Sequence, residues 1–449
     1  MQKDLVRRYA IPVPRYTSYP TAPHFHDGIT PEVHRGWLEA LGRNQRISLY
    51  VHIPFCDTLC WFCGCHTKQI RKYHPVEEYL GALGHEIGTV SGALVNRPRA
   101  THLHFGGGSP TILEPDDLRS LVGLLRERIG FSDHPEISVE IDPRDIGPDK
   151  LDALADIGLT RASIGVQDFN KTVQRAINRF QSFEQTRDVV EGLRARGVSS
   201  VNLDVVYGLP YQTREMLAAT IDHVIALRPD RIALFGYAHV PWMKKHQTMI
   251  DEASLPNIIE RYAGANRAAS RLAAAGYVRI GIDHFALPAD GLAKAQREGL
   301  LRRNFQGYTD DPAQALIGLG ASAISELPHG YVQNITPTGE YMRRVRKGEL
   351  ATFRGFELST EDHMRRAFIE QLMCNFSVSR SAFQEAYGDL AKPLLDDAAY
   401  LAAADADGLV VMDGDCFRVT IKGRPFVRTI AASFDSYLEK GAARHSVAV

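Results

Sequence analysis

The sequence has no apolar run long enough to span a bilayer, and its opening MQKDLVRRYAIPVPRYTSYP is too polar for the apolar region of a signal peptide. A cytoplasmic protein without a membrane span is therefore expected. There is no excess of charge either. Lys and Arg number 52 against 53 Asp and Glu, so no global field draws the chain to nucleic acid or to an anionic membrane. Low-complexity tracts are absent: 44% hydrophobic and 23% charged residues describe an ordinary globular chain, whose 449 residues suffice for one large domain and a smaller one. Cysteine is scarce, at six residues. Four of the six nevertheless fall within positions 56–65, in YVHIPFCDTLCWFCGC (50–65).

In a reducing compartment disulfides are disfavoured, so clustered thiols read as metal or redox ligands. Cys56, Cys60 and Cys63 follow C-x3-C-x2-C, with Cys65 two residues on. Structural zinc sites usually draw paired cysteines from two places. No second pair exists here, because Cys374 and Cys416 are isolated and read as small core residues. Three thiolates from one short loop suit three corners of a [4Fe–4S] cube, leaving one iron open for chemistry.

From about residue 47 to 290, β-rich runs alternate with amphipathic helical stretches. Strands are predicted at 47–53, 101–107, 136–142, 161–167, 201–208, 231–238 and 277–286, with helices at 75–90, 115–129, 182–197 and 213–227. Such alternation predicts a parallel sheet, curled into an open or closed barrel, with its chemistry at the carboxyl ends of the strands. The cysteine loop, GGGSP (106–110) and EIDPR (140–144) all fall at such ends. GGGSP offers side-chain-free backbone for close approach, and N–H groups that could meet a carboxylate. Beyond about 352 the pattern changes to three helices, a hairpin around Asp413-Gly414 and a helical stretch over 422–440. That set resembles a winged helix. With no strong basic face, it is expected to cover the active site rather than bind nucleic acid. The expected divisions are a strap at 1–46, a barrel at 47–290, a barrel extension contributing to the site at 291–351, and a C-terminal helical domain at 352–449.

The cysteine loop after the first strand resembles the radical S-adenosylmethionine superfamily. The fuller set of motifs resembles its oxygen-independent coproporphyrinogen III oxidase family: PRYTSYPTA (14–22), HFGGGSPT (104–111), EIDPR, SIGVQDFN (163–170), NLDVVYGLP (202–210), DHFA (283–286) and RNFQGYT (303–309). The resemblance implies an open (β/α)6-type partial barrel, α/β in class, with an N-terminal strap and a small C-terminal, mostly helical, winged-helix-like domain. It implies a [4Fe–4S] cluster on Cys56, Cys60 and Cys63, with Cys65 not a ligand. S-adenosylmethionine chelates the open iron, and reductive cleavage yields methionine and a 5′-deoxyadenosyl radical. Tyr50, Gly107, Glu140 and Ile324 match positions contacting that cofactor. Phe62, Gly108, Ser109, Gln167, Arg179, Asp204 and Ala238 match positions holding a second S-adenosylmethionine. Tyr50 and His52, beside the cysteine loop, are the candidate catalytic pair.

The family reaction converts two propionates of coproporphyrinogen III to vinyl groups, giving protoporphyrinogen IX without O2. A substrate with four carboxylates calls for cations and aromatic walls. Arg15, Tyr16 and Arg303 are the candidates, while Lys244 and Lys245 read better as a solvated loop. The stiffened strap, with Pro14, Tyr19 and Pro20, is expected to close over the barrel mouth and order the substrate site. Two departures from the family pattern stand out. Ser109 replaces a common Thr and keeps the hydroxyl, and Asp310 replaces a second Thr in a loop expected near the substrate. A related branch of heme-binding chaperones usually lacks both PRYTSYP and the cysteine matching Cys65, and both are present here. A low-potential electron donor is implied but not identified, no nucleic-acid partner is expected, and a monomer is expected.

Overall fold

A computed structural model of the chain describes residues 2–438. Twelve strands form one sheet: β1 Arg46–Ile53, β2 Arg99–Gly107, β3 Phe131–Ile141, β4 Arg161–Gln167, β5 Ser200–Tyr207, β6 Arg231–Gly236, β7 Val278–Ile280, β8 His284–Ala286, β9 Ala315–Leu319, β10 Ile324–Leu327, β11 Gly330–Asn334 and β12 Thr352–Glu357. Their order is β12-β11-β10-β9-β1-β2-β3-β4-β5-β6-β8-β7. The run from β9 through β6 is parallel, whereas both ends are antiparallel. The two outer strands do not pair with each other, so the barrel is open.

The strands alternate, but inside out relative to a half-solvated sheet. Leu49, Val51, Leu103, Phe105, Ile137, Val139, Ile164, Leu203 and Val205 face the crossover helices and form the main core. Ser48, Tyr50, His52, His102, His104, Ser138, Glu140, Ser163, Asn202 and Asp204 take the other parity, which is the barrel interior. Long crossover helices such as His74–Ala93 and Ile258–Ala274 cover the outside. The polar lining therefore costs little, because its members bond one another: Asn202 Nδ2 donates to Ser163 Oγ at 2.8 Å, and His104 Nδ1 lies 2.6 Å from Ser138 Oγ.

Residues 277–286 are not one strand. Gly281 turns with φ 53°, the Tyr308 ring fills the space a Cβ would need, and two three-residue strands fold back as a hairpin on β6. The further parallel strand is β9, beside β1. The C-terminal unit holds the helices Thr360–Asn375, Arg380–Tyr387 and Lys392–Ala404 and the hairpin Val410–Asp413/Cys416–Val419. Over 422–440 only Val427–Ala432 is α-helix, and residues 439 and 440 lie outside the described residues.

The strap does not form a free cover. Leu5, Val6, Val13, Tyr16 and Tyr19 belong to the same buried cluster as Phe368, Leu372, Phe417 and Phe434 of the C-terminal unit. Tyr16 donates to Asp435 at 3.0 Å, and Arg428 Nε donates to the Pro14 carbonyl at 3.0 Å. Apolar and aromatic strap residues complete a core that would otherwise be exposed.

Asp310 has a place far from the one its motif led us to expect. It lies at the amino-terminal end of the barrel, 3.5 Å from both Arg161 and Arg231, the first residues of β4 and β5's neighbour β6. Asp311 beside it accepts from Ser48 and pairs with His102 at 3.0 Å. The two aspartates sit at the floor, at the opposite end from the cysteine loop, Asp310 between two arginines and Asp311 beside His102.

Candidate active site

The cysteine loop leaves β1 at Ile53 and rises over the carboxyl ends of the strands. Two segments hold it by its backbone. From one side, Asn178 Nδ2 donates to the Leu59 carbonyl at 3.0 Å, and Trp61 N donates to the Ile177 carbonyl at 2.9 Å. From the other, Gln247 donates to Phe62 O at 2.9 Å, His246 Nε2 to Cys63 O at 2.7 Å and Lys244 Nζ to Cys65 O at 2.9 Å. Lys244 is thus engaged with the loop and not merely solvated. Cys56 Sγ lies 3.1 Å from Thr67 Oγ1. Burial pushes the Cys56 thiol up to about 12, whereas donors from Cys65 hold Cys63 down to about 7.

Among the described residues no three His, Cys, Asp or Glu side chains converge on a point suited to one metal ion. Cys56, Cys60 and Cys63 lie on this one loop, and three thiols are the donor set a four-iron cluster with one open iron takes. Cys60 Sγ faces two guanidiniums, Arg179 Nη1 at 3.6 Å and Arg144 Nη2 at 3.8 Å, and both arginines pair with Asp142. Two positive groups thus stand beside this sulfur. The chemistry of the donor set fits a cluster.

Beneath the loop, His52 Nε2 lies 2.8 Å from the His66 carbonyl, so Nε2 carries the proton and Nδ1 accepts from the Tyr50 hydroxyl at 3.0 Å. Burial lowers the imidazole to about 4, which keeps it neutral. With both nitrogens occupied, His52 orients Tyr50 and ties the loop down. Tyr50 stacks on His104 at 5.8 Å between ring centres.

Glu140 is the fixed carboxylate of the mouth. Gly107 N–H donates to it at 3.1 Å, and His104 Nε2 lies 3.4 Å away. Burial would raise it, yet the His104 contact and the Gly107 N–H outweigh burial and hold it below its usual value. Asp204, across the lumen, accepts from Asn202 at 2.7 Å and Ser163 at 3.1 Å. Burial and the nearby Glu140 charge raise it to about 6.

The glycines serve differently from expectation. A Cβ on Gly107 would lie 2.6 Å from the His52 ring, and one on Gly108 would lie 2.4 Å from the Phe55 carbonyl. Their N–H groups are spent within the chain, Gly107 on Glu140, Gly108 on Ile53 O at 2.8 Å and Ser109 on Phe55 O at 2.8 Å. The Gly108 and Ser109 donors therefore dock the start of the cysteine loop on β2, and none of the three is left over for a ligand carboxylate. Ser109 Oγ lies 3.1 Å from Thr111 Oγ1.

Gln167 ends β4 with φ 63° at a register shift between β4 and β5. Arg179 donates to Gly165 O at 2.7 Å and to Gln181 at 2.9 Å besides its Cys60 and Asp142 contacts, so little of its guanidinium is left to pair a ligand. Phe62 and Ala238 are joined through the buried Gln247, whose amide donates to both carbonyls, at 2.9 and 3.3 Å. Ile324 opens β10, with its backbone against Gly318, and Gly318 pairs with Tyr50.

The substrate candidates separate. Tyr16 is 4% exposed and spent on Asp435, inside the C-terminal core. Arg303 is buried, with its guanidinium 4.4 Å from the Tyr308 ring centre. Only Arg15 reaches an open surface, donating to Gly236 O at 3.1 Å. Sequence reasoning missed Asn178, His246, Gln247 and Thr67, and it read Lys244 as solvated. The polar run KKHQ at 244–247 hinted at His246 and Gln247 alone, and Asn178 and Thr67 carried no signal.

Residues 50–224 match the model of the Radical SAM superfamily, and residues 358–426 match the HemN C-terminal domain. The chain is 46% identical over 437 residues to the oxygen-independent coproporphyrinogen III oxidase of Paracoccus denitrificans, covering 97% of this chain and 96% of that one. A protein of the same name from Bradyrhizobium diazoefficiens is 44% identical over 450 residues, the full length of both. The solved coproporphyrinogen III oxidase of Escherichia coli, described as a radical SAM enzyme, superposes with a TM-score of 0.90 at 41% identity, over 94% of this chain and 98% of that one. With its cysteine loop over an open parallel barrel and this likeness along its whole length, the chain belongs to the oxygen-independent coproporphyrinogen III oxidase family of the radical S-adenosylmethionine superfamily.

Proposed function

We propose that the mouth of this barrel carries out the oxygen-independent oxidative decarboxylation of coproporphyrinogen III to protoporphyrinogen IX, a step of heme biosynthesis. The observation that carries the reading is the convergence of the cysteine loop, Glu140 and Asp204 at the carboxyl ends of one sheet. Bound there, a reduced [4Fe–4S] cluster and S-adenosylmethionine supply the radical that takes hydrogen from the propionate β-carbon.

The chain's own part is placement. Cys56, Cys60 and Cys63 hold the cluster, and Arg179 and Arg144 balance thiolate charge at Cys60. Tyr50, Gly107, Glu140 and Ile324 bound the first cofactor, with Glu140 kept ionised to meet a cationic group. His52 positions Tyr50 and the loop. A second S-adenosylmethionine would lie against Phe62, Gly108, Ser109, Gln167, Arg179, Asp204 and Ala238. The strained Gln167 backbone and the shared Gln247 clamp on Phe62 and Ala238 support that grouping. Among the described residues no helix is long and apolar enough to cross a membrane. The free cysteines favour a cytoplasmic, reducing setting, and we take the enzyme to act as a monomer fed by a low-potential donor.

The test is an anaerobic assay of reconstituted protein with coproporphyrinogen III, S-adenosylmethionine and a reductant. Protoporphyrinogen IX should form with 5′-deoxyadenosine. Deoxyadenosine without any vinyl product would refute the substrate. Equilibrium binding should find two S-adenosylmethionine molecules in the wild type, with Asp204→Ala losing one and keeping its iron.

A further inference from the structure

A second cavity lies outside the cofactor face, on the other side of β5 and β6. Asp204 and Tyr207 are three residues apart on β5 and so point to opposite faces. Tyr207 lines this cleft, and Asp204 faces the lumen. Three parts of the chain wall it: the strap through Arg15, the barrel through Arg261 and Arg279, and the C-terminal unit through Arg428. Its only carboxylate among the described lining residues is Asp283, which His284 Nδ1 already engages at 2.7 Å. Four guanidiniums thus face one occupied carboxylate.

Arg15, Arg261 and Arg279 are anchored without being neutralised by a described carboxylate. Arg15, Arg261 and Arg279 donate to the backbone carbonyls of Gly236 at 3.1 Å, Tyr237 at 2.8 Å and Ile282 at 2.8 Å, and among the described residues they have no carboxylate within ion-pair distance. Arg261 Nε and Arg279 Nε are buried without a hydrogen-bond partner. The backbone makes room for them. A Cβ on Gly208 would lie 3.1 Å from Arg261 Cζ, and one on Gly236 would lie 2.9 Å from Tyr207 Oη. Burial and the charge of Arg15 hold Arg261 below arginine's usual range, and burial with Arg15 and Arg303 brings Arg428 to about 10. Converging like charges in a half-buried site are costly unless an anion joins them.

The cavity, of about 90 Å3, admits a carboxylate-tipped chain and excludes a macrocycle. Gly236, two residues before Ala238, is among its lining residues. We propose that this cleft binds one carboxylate arm of the tetrapyrrole substrate, an arm other than the one reacting in the lumen. The inference rests on the substrate reading above. It assigns Arg261, Arg279 and Arg428 with Arg15 to a single anion pocket that joins strap, barrel and C-terminal unit.

Coproporphyrin III, the oxidised fluorescent form, is titrated anaerobically onto cluster-loaded protein, beside its tetramethyl ester, which keeps the ring and lacks the charges. Arg279→Gln and Arg15→Gln should each weaken free-acid binding roughly tenfold, the loss of one charge-assisted hydrogen bond, and leave ester binding unchanged. Arg15 is exposed, so its replacement keeps the fold even where the Arg279 change does not. Arg187→Gln, on the outer surface beside Asp188, should alter neither. If the wild type fails to bind the free acid, the substrate reading itself falls. If it binds and both cleft variants bind equally well, only the cleft assignment falls. Inorganic phosphate is titrated in parallel, and variants that lose phosphate but keep the free acid would show a pocket for a free oxyanion and overturn the proposal.

Discussion

Arg179 Nη1 stands 3.6 Å from Cys60 Sγ and 3.0 Å from Asp142 Oδ2, so one guanidinium joins a ligand thiol to a buried carboxylate. A positive donor at a cluster sulfur stabilises the more negative, reduced state. Arg179→Gln should therefore lower the cluster's reduction potential by on the order of 50 mV, one charged hydrogen bond in a one-electron couple. Redox titration followed by electron paramagnetic resonance reads it. An unmoved potential would mean that Arg179 serves Asp142 alone.

Cys65 is exposed and contributes a backbone N–H to Cys63 Sγ at 3.4 Å, a bond that survives replacement of its side chain. Cys65→Ser should keep near-stoichiometric iron and sulfide. Serine at Cys56, Cys60 or Cys63 should not. Tetrahedral zinc in anaerobically purified, active protein would contradict this ligand set.

Gln247 is wholly buried and bonds Phe62 O, Ala238 O and Val240 N. Gln247→Leu leaves those groups unsatisfied, which costs about 2–3 kcal/mol of stability. Because the clamp holds Phe62 and Ala238, cofactor stoichiometry should fall from two to one while iron content is retained. A variant that is less stable but still binds two would restrict Gln247 to a structural part.

Glu86 lies in the core and accepts from Gly320 N, Asn334 and Tyr341, yet burial outweighs those bonds and raises it from 4.5 to about 7. The folded state thus holds a proton there that the unfolded chain has released. Stability from this group is complete below about pH 4.5 and is lost as pH rises toward 7, on the order of 2–3 kcal/mol. Asp168 and Asp204, each raised to about 6, add the same sign at lower pH. Urea unfolding midpoints should fall between pH 6 and 8 in the wild type, and fall less in Glu86→Gln. Parallel curves for the two proteins would reject the assignment.

Asp310→Thr restores the residue common in the family but removes a negative partner shared by Arg161 and Arg231. Each arginine keeps one carboxylate, Glu136 at 2.7 Å and Asp290 at 2.8 Å. The expected loss is about 1–3 kcal/mol of stability, with cofactor binding at the far end of the barrel unchanged. A changed cofactor affinity would show that the floor reaches the mouth.

Strand-helix alternation made the parallel barrel legible, and the spacing of Cys56, Cys60 and Cys63 made the cluster loop legible. The Asp413-Gly414 turn likewise marked its hairpin, Val410–Asp413 with Cys416–Val419. The barrel's polar lining was harder to see. His104, Ser138 and Asn202 alternate with apolar residues as on any solvent-facing strand, and only closure of the sheet turns that face into a lumen. Tyr16 and Tyr19 were misleading for a similar reason. An aromatic, proline-stiffened segment looks the same whether it awaits a ligand or completes a distant core. Asp310 could not be placed at all until Arg161 and Arg231, from two separate strands, were seen to flank it. GGGSP was recognised as a place of close approach. What approaches is the chain itself, through His52 and the Phe55 carbonyl.

The grip of Arg428 on Val13 and Pro14, and of Asp435 on Tyr16, has a consequence for how the molecule is made. The strap cannot settle until residues more than 400 positions later in the chain have been synthesised. Domains fold as they emerge, so the barrel with its cysteine loop forms while the strap still lacks its partner. During that interval the cleft of arginines has two of its three walls missing. The order of the chain thus lets the cysteine loop fold before the arginine cleft is complete.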